Sequence, residues 1–214
     1  MLKQKAGFAV VVSSPSGGGK TTLVSALLRE DPLVRRIVTC TTREPRPGEK
    51  NGRDYHFWSA ARFARAVKAG EMAEHARVHE HFYGVPAKPL ADAIAAGKTP
   101  ALVIDVQGAR SVARIFKKDA VLVFVLPPDW QTLKKRLTGR GDTVDCELRL
   151  RTARREIAAM NRYGYIVVND DIAKAVGAVK AIIAAERLRA PRQLLRLRAG
   201  PGGGYRFEPG LCNR

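Results

Sequence analysis

The chain has 214 residues, 45% of them hydrophobic and 27% charged, which suits one globular core and leaves too little length for two ordinary domains. A formal net charge of +18 points to anionic partners, nucleic acid or nucleoside phosphates, although a charge run is more often a solvated surface. Three widely spaced cysteines, Cys40, Cys146 and Cys212, with no C-x-x-C pair, argue against a disulfide framework and against zinc.

Met1 to Lys5 precede an apolar run of only Phe8 to Val12, too short for a signal peptide or a membrane span; a soluble, cytoplasmic protein is expected. Gly7 to Ser13 reads as a buried strand of a parallel sheet. Thr21 to Glu30 reads as a helix, with Leu23, Ala26 and Leu27 at helical spacing and Asp31-Pro32 as its stop. Thr39 to Tyr83 breaks the pattern: it is rich in Arg, Gly, Pro and aromatics and shows one clear helix, Ser59 to Lys68, ended by Gly70. Ala87 to Ala96 is a helix ending at Gly97, and Ala101 to Val106 and Ala120 to Leu126 are apolar strands. Asp129 caps a helix through Leu137. A polar, arginine-flanked stretch, Gly139 to Asp145, separates it from the strand Tyr165 to Val168 and the closing helix Ile172 to Leu188.

Alternating strands and helices of this kind predict an α/β fold, a parallel-sheet core with helices on both faces. The two irregular segments sit where substrate-binding and lid insertions belong. The expected organisation is a single domain over 1–190, with a core of 1–38, 89–131 and 162–190, an acceptor-binding insertion at about 39–88 and a lid at about 132–161. Residues 191–214 hold five arginines and one glutamate around the run Ala199-Gly200-Pro201-Gly202-Gly203-Gly204, and read as a flexible basic tail.

Between the first strand and helix lies Ser14-Pro15-Ser16-Gly17-Gly18-Gly19-Lys20-Thr21-Thr22, a near match to the phosphate loop G-x-x-x-x-G-K-[ST]. A loop that turns its backbone N–H groups toward a polyphosphate drives residues into conformations that glycine reaches cheaply. Lys20 is then placed to reach the β and γ phosphates, and the Thr21 hydroxyl to ligate Mg²⁺. Ser14 departs from the motif at the position of its first glycine. A serine fits there if its backbone stays in an ordinary region.

Further along, Thr41-Thr42-Arg43-Glu44-Pro45-Arg46-Pro47-Gly48-Glu49-Lys50-Asn51-Gly52-Arg53-Asp54-Tyr55 closely resembles the guanylate kinase family segment T-T-R-x-P-R-x-G-E-x-[ND]-G-x-D-Y. The resemblance continues through Glu74, Tyr83-Gly84, Ile104-Asp105-Val106-Gln107-Gly108, Leu133 to Leu137 with Arg140-Gly141, and Val168-Asn169-Asp170-Asp171. It spans about residues 7 to 188. It implies a P-loop kinase fold and transfer of the γ-phosphate of ATP to GMP with Mg²⁺.

Carried over position by position, the resemblance implies that Arg43 and Arg46 hold the acceptor phosphate with Tyr55 and Tyr83. Arginine suits this because its planar fork binds phosphate oxygens in pairs. Glu49 falls within the same acceptor-binding segment. Glu74 and Thr39 match the guanine-reading positions; a carboxylate accepts both N1–H and the 2-amino group, which adenine lacks. Asp105 matches a family aspartate that could serve the acceptor, a Mg²⁺-bound water or Arg43. Arg136, Arg140 and Arg151 match lid positions that close over the phosphates, and Asn169 an adenine-side position. A phosphate acceptor with a second pKa near 6 needs no general base at neutral pH.

Two departures from the family are Val85, where a hydroxyl residue usually follows Tyr-Gly, and Val103, where an acid often precedes the aspartate by two. His75, His79 and His81 lie in an extended stretch, where metal spacing of the H-x-x-x-H kind requires a helix. Competing readings are a non-catalytic guanylate kinase-like interaction module, disfavoured by the retained Lys20, Thr21 and arginines, and a related kinase for a phosphorylated sugar, disfavoured by Tyr55 and Glu74. No membrane contact is expected, and no nucleic-acid partner, since no aromatics interleave the basic residues. Monomer and homo-oligomer both remain open.

Overall fold

A computed structural model describes residues 7–78, 80–138, 146–189, 197–199 and 205–207. Its centre is β1 (Ala9–Ser13), all five residues of which are buried. A strand apolar on both faces must have cover on both, and the period of two divides its side chains between two cores. Val10 and Val12 join Leu23, Val24 and Leu27 of α1 (Lys20–Glu30) and Val176, Val179 and Ile183 of α7 (Ile172–Leu188). Ala9 and Val11 join Leu90 of α3 (Ala87–Ala95) and Ala109 and Val112 of α4 (Val106–Phe116).

β1 pairs in parallel with β7 (Thr99–Val103) on one side and β8 (Ala120–Leu126) on the other. β2 (Val34–Arg36) extends the sheet beyond β7, and β9 (Tyr165–Val168) beyond β8. The five-stranded order is β2-β7-β1-β8-β9. This is the predicted parallel sheet covered by helices on both faces, and the termini of α1, α3, α7, β8 and β9 fall within one residue of expectation.

The strand expected over Ala101 to Val106 differs. β7 ends at Val103 because the Asp105 carboxylate accepts the N–H of Gly108 at 2.9 Å and starts α4 there; a capping aspartate turns the chain out of the sheet.

The segment expected to be largely irregular forms a second sheet. β3 (Cys40–Thr41), β4 (His56–Phe57), β5 (Met72–Val78) and β6 (His81–Pro86) assemble in the order β4-β3-β6-β5. Two of these strands have only two residues, too few to show an alternating pattern. α2 (Ala60–Lys68) is capped by Ser59, buries Phe63 and Ala66, and ends before Gly70 at φ +70°.

α5 (Trp130–Thr138) and α6 (Cys146–Ala158) pack through Leu133, Leu137 and Ala153 as a small separate cluster. Asp129 accepts the N–H of Thr132 at 2.6 Å, as its capping role requires. Within the segment read as a flexible tail, β10 (Leu197–Ala199) and β11 (Tyr205–Phe207) pair antiparallel. Among the described residues no helix is long and apolar enough to cross a membrane.

Candidate active site

The loop between β1 and α1 is bent by Gly17 and Gly19, at φ +82° and +90°. Gly18 is required by closeness instead: a Cβ there would stand 2.8 Å from the Ser14 side chain. At Gly19 a Cβ would collide with the Asn169 amide. Gly19 is also the N-cap of α1 and makes no side-chain capping bond, so the first-turn N–H groups and the positive end of the helix face the loop. Ser14 is fully buried and has no left-handed φ. Its Oγ donates to the carbonyl of Pro15 at 2.9 Å, the oxygen that also accepts the N–H of Gly18. The serine is thus wired into the turn.

Lys20, Thr21 and Thr22 border a cavity of about 230 Å³ whose opposite wall is Arg43, Arg46, Tyr55 and Tyr83. Arg43 donates from Nη2 to both oxygens of Glu49 at 3.0 Å and from Nη1 to the carbonyl of Glu44. It lies 5.6 Å from the centre of the Tyr55 ring. Burial opposes its charge, but the hydrogen bonds to Glu49 and Tyr83 outweigh burial and hold its pKa above the ordinary value. Glu49 also accepts the backbone N–H of Arg46 at 2.8 Å. Glu49 borders the cavity too, and its bonds orient the Arg43 guanidinium and fix the Arg46 backbone.

A pocket of about 210 Å³ continues from this cavity, sharing Ser16, Lys20, Tyr55, Tyr83 and Val103. Thr39, Glu74 and Asp105 line its far part. Glu74 is 5% exposed, and its Oε1 has no hydrogen-bond partner. Burial, and then the charge of Asp105, push its carboxyl up to about 7. An unpartnered buried carboxylate at a pocket end calls for a ligand edge with donors. Of the roles open to Asp105, its position favours the acceptor pocket; it does not line the cavity of Arg43. Val85, opposite Glu74 in the strand pairing, is buried in the apolar core, which leaves that side of the pocket without a hydroxyl. Val103 borders both cavities.

On the other side of the loop, Gly17, Gly19 and Thr22 also border a cavity of about 410 Å³ with Arg136, Asn169, Asp170 and Ile172. Asn169 is buried, receives its place from an N–H bond to the carbonyl of Leu126, and donates its amide to the carbonyl of Gly18 at 3.3 Å. Arg140 lies outside the described residues, as do Gly139 to Asp145 and His79. Among the described residues no group of three or more His, Cys, Asp or Glu could hold a metal ion. Thr21, exposed at the head of α1 beside Lys20, fits Mg²⁺, which keeps most of its waters and takes few protein oxygens.

Two residues of α6 were not legible in the motif. The Glu156 carboxylate accepts the N–H of Ser16 at 3.3 Å. Burial raises its pKa, with the charge of Lys20 acting in the opposite direction. Arg149 lies two helical turns before Glu156, on the same face as the buried Ala153. Arg151, the expected lid cation, is exposed and stands roughly 140° around the helix from Glu156 at 3.6 residues per turn. Arg149, not Arg151, therefore shares the face of α6 that carries Glu156. The signal was present: Leu150, Ala153 and Ile157 at helical spacing define the inner side of α6.

A phosphate loop on the central strand of a parallel sheet, joined by an arginine-walled passage to a pocket ending in a carboxylate, defines a P-loop kinase acting on a phosphorylated small molecule. Residues 7–186 match the family model described as guanylate kinase, and the chain belongs to the guanylate kinase family. A guanylate kinase of Paramagnetospirillum magneticum is 45% identical over 190 residues, covering 88% of this chain and 89% of that protein. One of Thiobacillus denitrificans is 45% identical over 192 residues, covering 89% and 91%. The crystal structure of guanylate kinase from Anaplasma phagocytophilum matches with a TM-score of 0.76 at 34% identity, covering 88% of this chain and 90% of that one.

Proposed function

We propose that this chain transfers the γ-phosphate of ATP to GMP, giving ADP and GDP. The observation that carries the reading is continuity: one run of cavities leads from Asn169 past the phosphate loop and the arginines to Glu74. ATP would occupy the first part with its phosphates on the N–H groups of residues 16–22, and GMP the second. The acceptor phosphate, largely a dianion at neutral pH, is held by Arg43 and Arg46 with the hydroxyls of Tyr55 and Tyr83. Glu74 accepts from N1–H and the 2-amino group of guanine, and Thr39 faces the base.

Because the phosphoryl group moves through a loose, anionic transition state, the protein mainly positions and neutralises. Lys20 supplies charge at the γ-phosphate. Arg136 and Arg149, with Arg140, supply it from the lid side and exclude water. Thr21, with the phosphates, would hold Mg²⁺, which would supply positive charge at the triphosphate. No protein base is needed, since the attacking oxygen is already ionised.

ADP release from ATP and Mg²⁺ should depend on GMP and fall to background with AMP, UMP or no acceptor. Absence of GMP-dependent turnover would overturn the reading. Equal rates with AMP would remove Glu74 from base selection.

A further inference from the structure

No motif in the chain assigns a role to Arg36, the last residue of β2 before the acceptor insertion. Its backbone belongs to the main sheet, where Arg36 pairs with Ala101 of β7. Its side chain crosses to the insertion, and Nη2 donates to the carbonyl of Asp54 at 2.9 Å. Arg36 also borders the 230 Å³ cavity alongside Lys20, Arg43, Arg46, Tyr55 and Tyr83.

The nearby carboxylates make their hydrogen bonds to other groups, although the charge of Arg36 is felt at Asp54. Glu49 is committed to Arg43 and to the N–H of Arg46. The Asp54 carboxylate accepts from the N–H of Lys50 at 2.8 Å and from Arg53. Arg36 meets a neutral carbonyl with one N–H, and a guanidinium has five. A phosphomonoester at neutral pH carries about −1.5 to −2 charges, more than one paired arginine offsets. Arg43 already shares its charge with Glu49.

We propose that Arg36 is a third phosphate-binding arginine of the acceptor site: it fastens the loop bearing Tyr55 to the main sheet and presents a guanidinium to the acceptor's phosphomonoester beside Arg43 and Arg46. This rests on reading that cavity as the acceptor-phosphate site. Since β2 and β1 both pair with β7, the arrangement sets the acceptor phosphate relative to the phosphate loop through the rigid sheet. Arg43 and Arg46 lie on the insertion and lack that direct tie.

Calorimetric titration of the full chain with GMP and with guanosine separates phosphate recognition from base recognition. Arg36→Met, which keeps the apolar stem, is expected to weaken GMP binding about ten-fold, the size of one charge-assisted contact, and to change guanosine binding less than about two-fold. KM for GMP should rise while KM for ATP stays put, and Arg36→Lys should restore most of the GMP affinity. Arg36→Gln, with a donor for the Asp54 carbonyl and no charge, serves the same comparison if the methionine variant does not fold. Unchanged GMP affinity, or equal losses for GMP and guanosine, would remove Arg36 from phosphate binding. A wild-type chain that bound guanosine and GMP equally would instead overturn the acceptor-phosphate cavity itself.

Discussion

The phosphate loop and the acceptor insertion handle the same kind of group by different means. Residues 14–22 form a contiguous stretch whose working parts are backbone N–H groups, one lysine and one hydroxyl. Glycine conformation and close packing against Ser14 and Asn169 shape it. The proposed acceptor side gathers Thr39, Arg43, Glu74, Tyr83 and Asp105 from separate strands and loops, and would rely on side-chain charge. A triphosphate is largely the same in every substrate, so a local backbone fold can recognise it. A base must be distinguished from its rivals, and that requires a buried charge with something to lose when the wrong base enters.

The sharpest way to break this division is Lys20→Ala. Removing the one side-chain cation of the loop should lower kcat/KM about 10³-fold or more while the thermal unfolding midpoint changes little. Retained turnover would mean that the backbone alone handles the γ-phosphate.

Glu74→Gln should lower kcat/KM for GMP about 10²-fold and shrink the preference over AMP, since the amide has no charge and its NH2 replaces one of the two acceptor oxygens with a donor. The wild-type carboxyl, raised from 4.5 to about 7, adds a pH signature. GMP affinity should climb as pH rises through 7 and level off above it, because the ionised form accepts. Stability should move the other way: the folded state holds the extra proton between about pH 4.5 and 7, so stability falls as pH rises across that window. The Gln variant should lose both dependences, as read by titration calorimetry and thermal melts from pH 5 to 8.

A smaller effect tests which face of α6 works. Arg149→Ala should lower kcat about ten-fold with KM for GMP nearly constant, whereas Arg151→Ala should change kcat less than about two-fold. The reverse order would restore Arg151 as the lid cation. The smallest effect belongs to Ser14→Gly. Losing the bond to the Pro15 carbonyl should reduce stability by about 1 kcal/mol, with ATP affinity unchanged within about two-fold. A large gain in affinity would show that serine impairs the loop.

Much of the main sheet could be read ahead of the structure because β1, β8 and β9 are short apolar runs between glycines, caps and helices. The second sheet could not. Cys40–Thr41 and His56–Phe57 are too brief for periodicity, and their partners lie up to 44 residues away, as with Cys40 and Gly84. At the site, Lys20, Arg43 and Glu74 were legible through motifs. Arg36 and Glu156 were not, because each reaches its place from an element with no motif of its own.

The sequence by itself determined the family and supplied the groups proposed for the chemistry: glycines where φ must be positive, a lysine and threonine at the head of α1, the arginines proposed for the acceptor phosphate, and the glutamate proposed for the base. Those follow from local backbone demands and from the charge of the ligands. Only the tertiary structure decided which of the many basic residues share a cavity, that Glu49 holds the Arg43 guanidinium, and that Glu74 lies buried beside Asp105. Such facts depend on strand pairing and helix phase, where a two-residue shift along α6 moves a side chain off the face shared with Glu156.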